Sequence, residues 1–406
     1  MSWIDVLRIR SYGCTVGRLA PAATAVDATA IATMTNSANS FLRTRASLPV
    51  SLLRVSAPRP WIAETCARSA RPLLLYWCQM AESLSTAVER GDVDDLVRLV
   101  DGLCASREWD RLVELRDRCE QAVARGRQLW PVAAHAEYRL ALESPGRWAA
   151  TMLVEGAGRF APGPLPEVAA STHEWSELAP HVPYGPPAVL AAHERVVRGE
   201  DLTGATLPGP PVLDLPLRLA RWEPDYLLAH YRSDGVDLPG PSPPSYEPVD
   251  APARTPDGAQ DAATDALVDA VRAWTEGSEG RAEAVTARGD ALDAIAALGR
   301  DRIRITELGS SDALRALAWA GASGGAYGRR PGAAAGRFAA WWAGAALTRL
   351  LDEWPVDADV LGDRVTTLRW YGWDSGGTVT GWQLHLAVED PAAGRAWAVA
   401  AIDVTS

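Results

Sequence analysis

The strongest constraint in this chain is a change in the period of its apolar residues. Over Val379 to Val388, Trp382, Leu384, Leu386 and Val388 alternate with less apolar neighbours, the period of a strand with one buried face. From residue 83 onward, in contrast, apolar residues recur every three or four positions, as on amphipathic helices. Helical patterns followed by antiparallel strand patterns read as α+β.

The tail carries the clearest strand signal. Val365 to Trp373 precedes the turn Asp374-Ser-Gly-Gly377, and Asp390-Pro-Ala-Ala-Gly394 leads from the alternating run into Ala396 to Val404. This predicts a three-stranded antiparallel meander. Its apolar face packs on a long helix over 332–351 whose stripe is Phe338, Trp341, Trp342, Ala345 and Leu350. Gly336 and Gly344 lower the propensity of that helix, so they are expected where another element approaches closely. Upstream, Asp261 to Trp274 reads as a helix and Arg281 to Thr286 as a strand. Gly289-Asp290 forms a capped turn into a helix over 291–298, Arg302 to Thr306 a strand, and Ser311-Asp312 opens another helix.

The N-terminal half reads as helix hairpins, a bundle or a solenoid-like stack. Asp92 caps a helix through Leu96, Val100 and Cys104. Ser106 caps the next, through Trp109, Leu112, Cys119 and Val123, and Pro131 opens a third. Ser171-Thr-His-Glu174 matches a capping box. Residues 239–256 hold seven Pro and mark a linker or surface loop. The expected organisation is therefore a helical domain over 80–232, a Pro-rich linker over 233–258 and a Trp-rich α+β domain over 259–406.

Residues 1–79 differ from the rest. They hold nine Arg against three acids, while the whole chain carries a net charge of −11. Their apolar residues follow no period, and Met80 directly precedes the first patterned helix. The segment is expected to be disordered, or to lie upstream of a true translation start at Met80. The acidic remainder argues against nucleic acid as a partner. The absence of an apolar run of about 20 residues argues against a spanning helix. Five Cys without a CxxC pair fit neither a disulfide framework nor a zinc site and point to a cytoplasmic chain.

A few residues could carry chemistry. Gly321-Ala-Ser323-Gly-Gly325 matches the pattern G-x-S-x-G, with Asp363 or Asp374 and His385 following in hydrolase order. A nucleophile elbow needs a strand before the Ser, however, and the residues preceding Ser323 read as helical. Arg329, Arg330 and Arg337 surround one helix N-terminus, where they could hold a small anion or nucleotide. Otherwise they are exposed, or pair with Asp352 and Glu353. His173, Glu177 and His181 have helical ligand spacing, but Pro180 interrupts it, so neither a metal nor another cofactor is expected. Seven of the 17 Trp crowd the last 66 residues. Trp373, opposite in parity to Trp370, is the one expected to be exposed and available for binding.

The segments Gln128-Leu-Trp-Pro-Val-Ala-Ala-His-Ala-Glu-Tyr-Arg-Leu-Ala-Leu142, Gly336-Arg-Phe-Ala-Ala-Trp-Trp342 and Gly381-Trp-Gln-Leu-His-Leu-Ala-Val-Glu-Asp390 resemble an uncharacterised actinobacterial family, a domain of unknown function. The resemblance covers about 80–406 and carries no activity with it. The functional expectation is a non-enzymatic interaction or scaffold protein with a protein partner. The alternatives are an anion-binding regulatory domain at 329–337 and a serine hydrolase through Ser323.

Overall fold

The structure, a computed structural model, describes residues 84–250, 252, 258–300, 302–376 and 381–404. The expectations for residues 1–79 lie outside the described residues. Helix α1 (Val93–Ala105) is capped by Asp92, whose Oδ1 accepts from the Asp95 amide at 3.0 Å. Helices α2 (Trp109–Ala124) and α3 (Trp130–Glu143, Pro131 in its first turn) follow through short connections, then α4 (Leu165–Thr172) and α5 (Pro186–Val197). Two expected caps fall at the wrong ends. Ser106 closes α1, its Oγ donating to Gly102 O at 2.9 Å. Ser171 closes α4, donating to Val168 O at 2.6 Å. In both cases the apolar run lies before the Ser, and its hydroxyl donates to a carbonyl of the last turn rather than accepting from a first-turn amide.

A hairpin of β1 (His230–Arg232) and β2 (Gly235–Asp237) precedes β3 (Glu247–Asp250), which lies inside the Pro-rich stretch. Pro248 is tolerated there because β3 pairs only with β5 and forms one edge of the sheet. Next come α6 (Ala262–Asp269), α7 (Arg272–Gly277), β4 (Arg281–Arg288), α8 (Ala291–Ala297), β5 (Arg302–Leu308) and α9 (Ser310–Ala322). The run expected as one helix over 261–274 thus breaks after Asp269. The chain ends with α10 (Ala333–Leu347), α11 (Ala358–Val365), β6 (Arg369–Asp374), β7 (Trp382–Asp390) and β8 (Arg395–Asp403).

Strands β6, β7 and β8 form the expected meander, and it is the centre of a larger antiparallel sheet ordered β3-β5-β6-β7-β8-β4. One face meets α6, α9 and α10. There Trp370, Trp397, Leu384, Leu386 and Val399 join Leu267, Trp274, Leu314, Phe338 and Trp341 in one core. Val189 of α5 and Val212, Leu213 and Leu215 belong to the same core, so apolar contact is continuous from the helical half to the sheet. The other face is covered by α8, through Ile295 and Leu298 against Trp373, Ala387, Ala398 and Ile303. This corrects the reading of Trp373, which is only 1 % exposed. Opposite parity places it on the second face of the sheet, and that face is also buried.

Helices α9 and α10 approach closely at Gly321 and Gly336. A Cβ on Gly336 would stand 2.1 Å from Ala318 O and 3.0 Å from Ala322 N, backbone atoms that no rotamer change can move. Gly336→Ala gains about 1 kcal/mol of helix propensity. It nevertheless should destabilise the chain by about 2 kcal/mol net, because the two helices must separate. Urea unfolding decides this, and a neutral or stabilising result removes the close-packing account.

Candidate functional site

The Gly-rich turn between α9 and α10 brings the three Arg singled out from sequence to one end of α10, and carboxylates meet two of them. Arg330 donates from Nε and Nη2 to Glu167, both at 2.8 Å. Glu167, from α4, also accepts from Tyr231 Oη at 2.7 Å and from the Ala333 amide at 3.2 Å. Glu194, from α5, accepts from the Ala334 amide at 2.8 Å and from Arg198 Nη1 at 2.7 Å. Two buried carboxylates from the helical half thus cap the N-terminus of α10, where its dipole and free amides favour negative charge. One turn on, Arg337 is 0 % exposed. It donates to Glu223 at 2.7 and 2.8 Å, to Pro216 O and to Arg218 O, both at 2.9 Å. The partners are therefore Glu167 and Glu223, not Asp352 and Glu353. An anion entering here must displace a carboxylate that is already bidentate.

Burial would raise the Glu167 and Glu223 carboxyls, but the Arg330 and Arg337 guanidinium groups outweigh it and hold both below the usual range. Glu194 lacks such a fork. Burial, together with the Glu167 charge, pushes it up to about 7. Burial and the nearby Arg337 charge push His193 down to about 3.

Ser323 ends α9 and is buried. Its Oγ accepts from Trp274 Nε1 at 2.8 Å and lies 3.4 Å from Ala320 O. The G-x-S-x-G run is a helix–turn–helix junction. Gly324 is required there because a Cβ would stand 2.2 Å from Gly328 O. His385 lies in β7, stacked on Trp373 with ring centroids 4.7 Å apart. His173 Nδ1 lies 3.3 Å from Glu177 Oε2. Among the described residues, no three His, Cys, Asp or Glu side chains form a group that could hold a metal.

Arg329 leads to a different place. Its Nη2 donates to Gly158 O at 2.8 Å, and the Gly158 amide donates to Glu137 Oε2 of α3 at 2.7 Å. The loop is thus fastened at Gly158, where φ is +69° and a Cβ would strike the Leu165 side chain at 2.4 Å. Two residues later Phe160, 54 % exposed, meets Trp130 at the start of α3, 41 % exposed, with ring centroids 4.4 Å apart. The Arg159 guanidinium sits 5.5 Å from the Phe160 centroid. Arg125 and Arg127 lie in the connection that precedes Trp130, and neither they nor Arg159 forms an ion pair with a described residue. Sequence reading missed this cluster because its two rings are 30 residues apart and follow no period.

A six-stranded antiparallel sheet with helices on both faces, joined through one core to a layer of short-linked helices, defines an α+β protein. The chain belongs to the family of unknown function DUF6183, whose model matches residues 94–405. The three segments that carry the resemblance all lie within that match. No curated protein and no solved structure matches the chain.

Proposed function

We propose that this chain is a non-enzymatic interaction protein of the bacterial cytoplasm. It binds an acidic protein partner through Trp130, Phe160 and Arg159. The observation that carries this reading is the exposed contact of two large aromatic rings beside the Arg159 guanidinium, which forms no ion pair with a described residue, on a chain whose net charge is −11. Trp and Arg are the residues that dominate binding energy at protein interfaces, and a contiguous exposed apolar patch is otherwise unfavourable. A locally basic patch on an acidic protein favours an acidic partner and disfavours the polyanionic length of nucleic acid, which the rest of the surface repels. No helix among the described residues is long and apolar enough to cross a membrane. The reading as an anion-binding regulatory domain retains only Arg329 without a carboxylate partner.

The test compares the chain with its Trp130→Ala/Phe160→Ala variant, both tagged and purified from the native host. Both side chains are exposed, so thermal stability should stay within about 0.5 kcal/mol. Affinity for the retained partner should fall by about 2 kcal/mol, roughly 30-fold in Kd, and wild-type binding should weaken with added salt. Equal retention of the same partners by both proteins, or retention of nucleic acid alone, counts against the proposal.

A further inference from the structure

Strands β4 and β8 pair so that Arg288 stands directly opposite Arg395. Both share the sheet face of Ala284, Trp397 and Val399, since each lies an even number of positions along its strand from them. That is the face on which α10 packs. Arg349, the second residue beyond α10, joins the pair there. The three Arg, with Ala393 and Gly394 of the turn between β7 and β8, line a hollow of about 490 Å³.

Both placements work against stability. Like charges directly opposite on an antiparallel pair repel one another. Arg349 closes α10 in a Schellman motif, in which the Leu350 amide donates to Ala345 O at 2.7 Å and the Arg349 amide to Ala346 O at 3.1 Å. Its φ is +62°, the left-handed region where Gly is usual and a Cβ crowds the backbone. Nearby acids do not compensate. Neither Arg288 nor Arg349 forms an ion pair with a described residue. Arg395 reaches Asp261 at 3.5 Å, and that carboxylate already accepts from the Ala263 and Thr264 amides and from Trp397 Nε1. Asp390 stands opposite Arg395 on β7, but its Oδ1 accepts from the Ala392 and Ala393 amides, both at 3.1 Å. Three guanidinium groups short of counter-charge thus line one hollow of a chain with 51 acids and 40 bases. Residues held at a cost to stability mark sites kept for binding.

We propose that Arg288, Arg349 and Arg395 bind a diphosphate group. Guanidinium forks match phosphate oxygens, and tetrahedral phosphorus presents its oxygens in several directions. Forks arriving from the sheet and from the helix end can therefore engage together, whereas a carboxylate accepts near its own plane. A diphosphate offers each guanidinium its own pair of oxygens, which a single phosphate does not. No aromatic ring lines the hollow, so recognition stops at the diphosphate. The site shares no residue with the Trp130–Phe160 face or with the 329–337 turn.

The test is calorimetric titration of pyrophosphate, ADP, phosphate and citrate into the full chain at low salt. Pyrophosphate should bind at least about tenfold more tightly than phosphate or citrate. Equal affinity for ADP identifies the diphosphate end of a larger molecule as an occupant, and pyrophosphate well ahead of ADP identifies the free anion. Arg288→Gln and Arg349→Gly should each weaken pyrophosphate about fivefold or more. Without ligand, both should melt at or above the wild-type temperature, because one removes the like-charge pair and the other places Gly at the left-handed position. Arg364→Gln, an exposed Arg elsewhere, controls for net charge and should bind as the wild type does. Absence of pyrophosphate binding, citrate bound as tightly, or ADP bound more than about tenfold more tightly than pyrophosphate overturns the proposal. So does unchanged affinity in both site variants, or lowered melting of both without ligand, which assigns these Arg a structural role.

Discussion

Arg337→Leu should lower the unfolding free energy by about 3 to 5 kcal/mol, the usual cost of leaving one member of a buried pair uncompensated. Domains of this kind have only about 5 to 15 kcal/mol in total. The reason is geometric. The guanidinium is completely enclosed, and its four hydrogen bonds end on Glu223, Pro216 O and Arg218 O. It therefore fastens the irregular segment around 216–223 to the middle of the core helix α10. Removing it strands a carboxylate that also accepts from Tyr226 Oη at 2.5 Å and from the Ala220 amide at 2.8 Å. Arg337→Lys should recover less than half of the loss, because one ammonium cannot reproduce a bidentate fork and reach two carbonyls. Arg337→Leu/Glu223→Leu should be no worse than Arg337→Leu alone, since the stranded charge leaves with its partner. Chemical unfolding of the three variants checks this, and an Arg337→Leu protein within 1 kcal/mol of wild type would falsify the anchoring role.

That pair also marks the limit of what the sequence makes legible. The meander is readable because Trp382, Leu384, Leu386 and Val388 alternate, and all of them face α9, α10 and the core between. The role of Gly336 is readable because a glycine inside a strong helix pattern needs a reason, and the contact with Ala318 O supplies it. The Arg337 partner is not readable, because Glu223 lies 114 residues away in a stretch without regular periodicity. Trp373 was misread for a related reason. Parity tells which face of a strand a residue occupies, not whether a second layer covers that face. Here the covering element is α8, a seven-residue, Ala-rich helix with no distinctive stripe. The Trp130–Phe160 cluster depends on a loop fastened by Arg329 and Glu137, and such fastening leaves no local pattern.

Glu194→Gln should change how stability depends on pH by an amount on the order of 3 kcal/mol. The Glu194 carboxyl is enclosed by Glu167 of α4, Arg198 of its own helix, and the Ala334 amide of α10, with Arg330 and Tyr231 bound to the same Glu167. Burial and the Glu167 charge place its folded pKa near 7, against about 4.5 for an unperturbed Glu. Between those values the folded chain holds a proton that the unfolded chain has released. The contribution to stability is therefore fully present below pH 4.5 and is lost as the pH rises through 7. Glu137, raised by burial to about 7, has the same sign. His193 and His385 oppose it, since burial keeps them neutral in the fold while the unfolded chain protonates them below about 6.5, which weakens the fold in acid. The wild-type profile is thus a near balance, and the difference between variant and wild type is the informative quantity. Gln cannot ionise, so Glu194→Gln should gain on the wild type from pH 5 to about pH 7 and level off toward pH 8, whatever constant loss it carries from altered hydrogen bonding to Arg198. Urea midpoints measured across that range provide the slope. A difference that stays flat means that Glu194 is ionised throughout, with Arg198 and the α10 amides outweighing both its burial and its acidic neighbour.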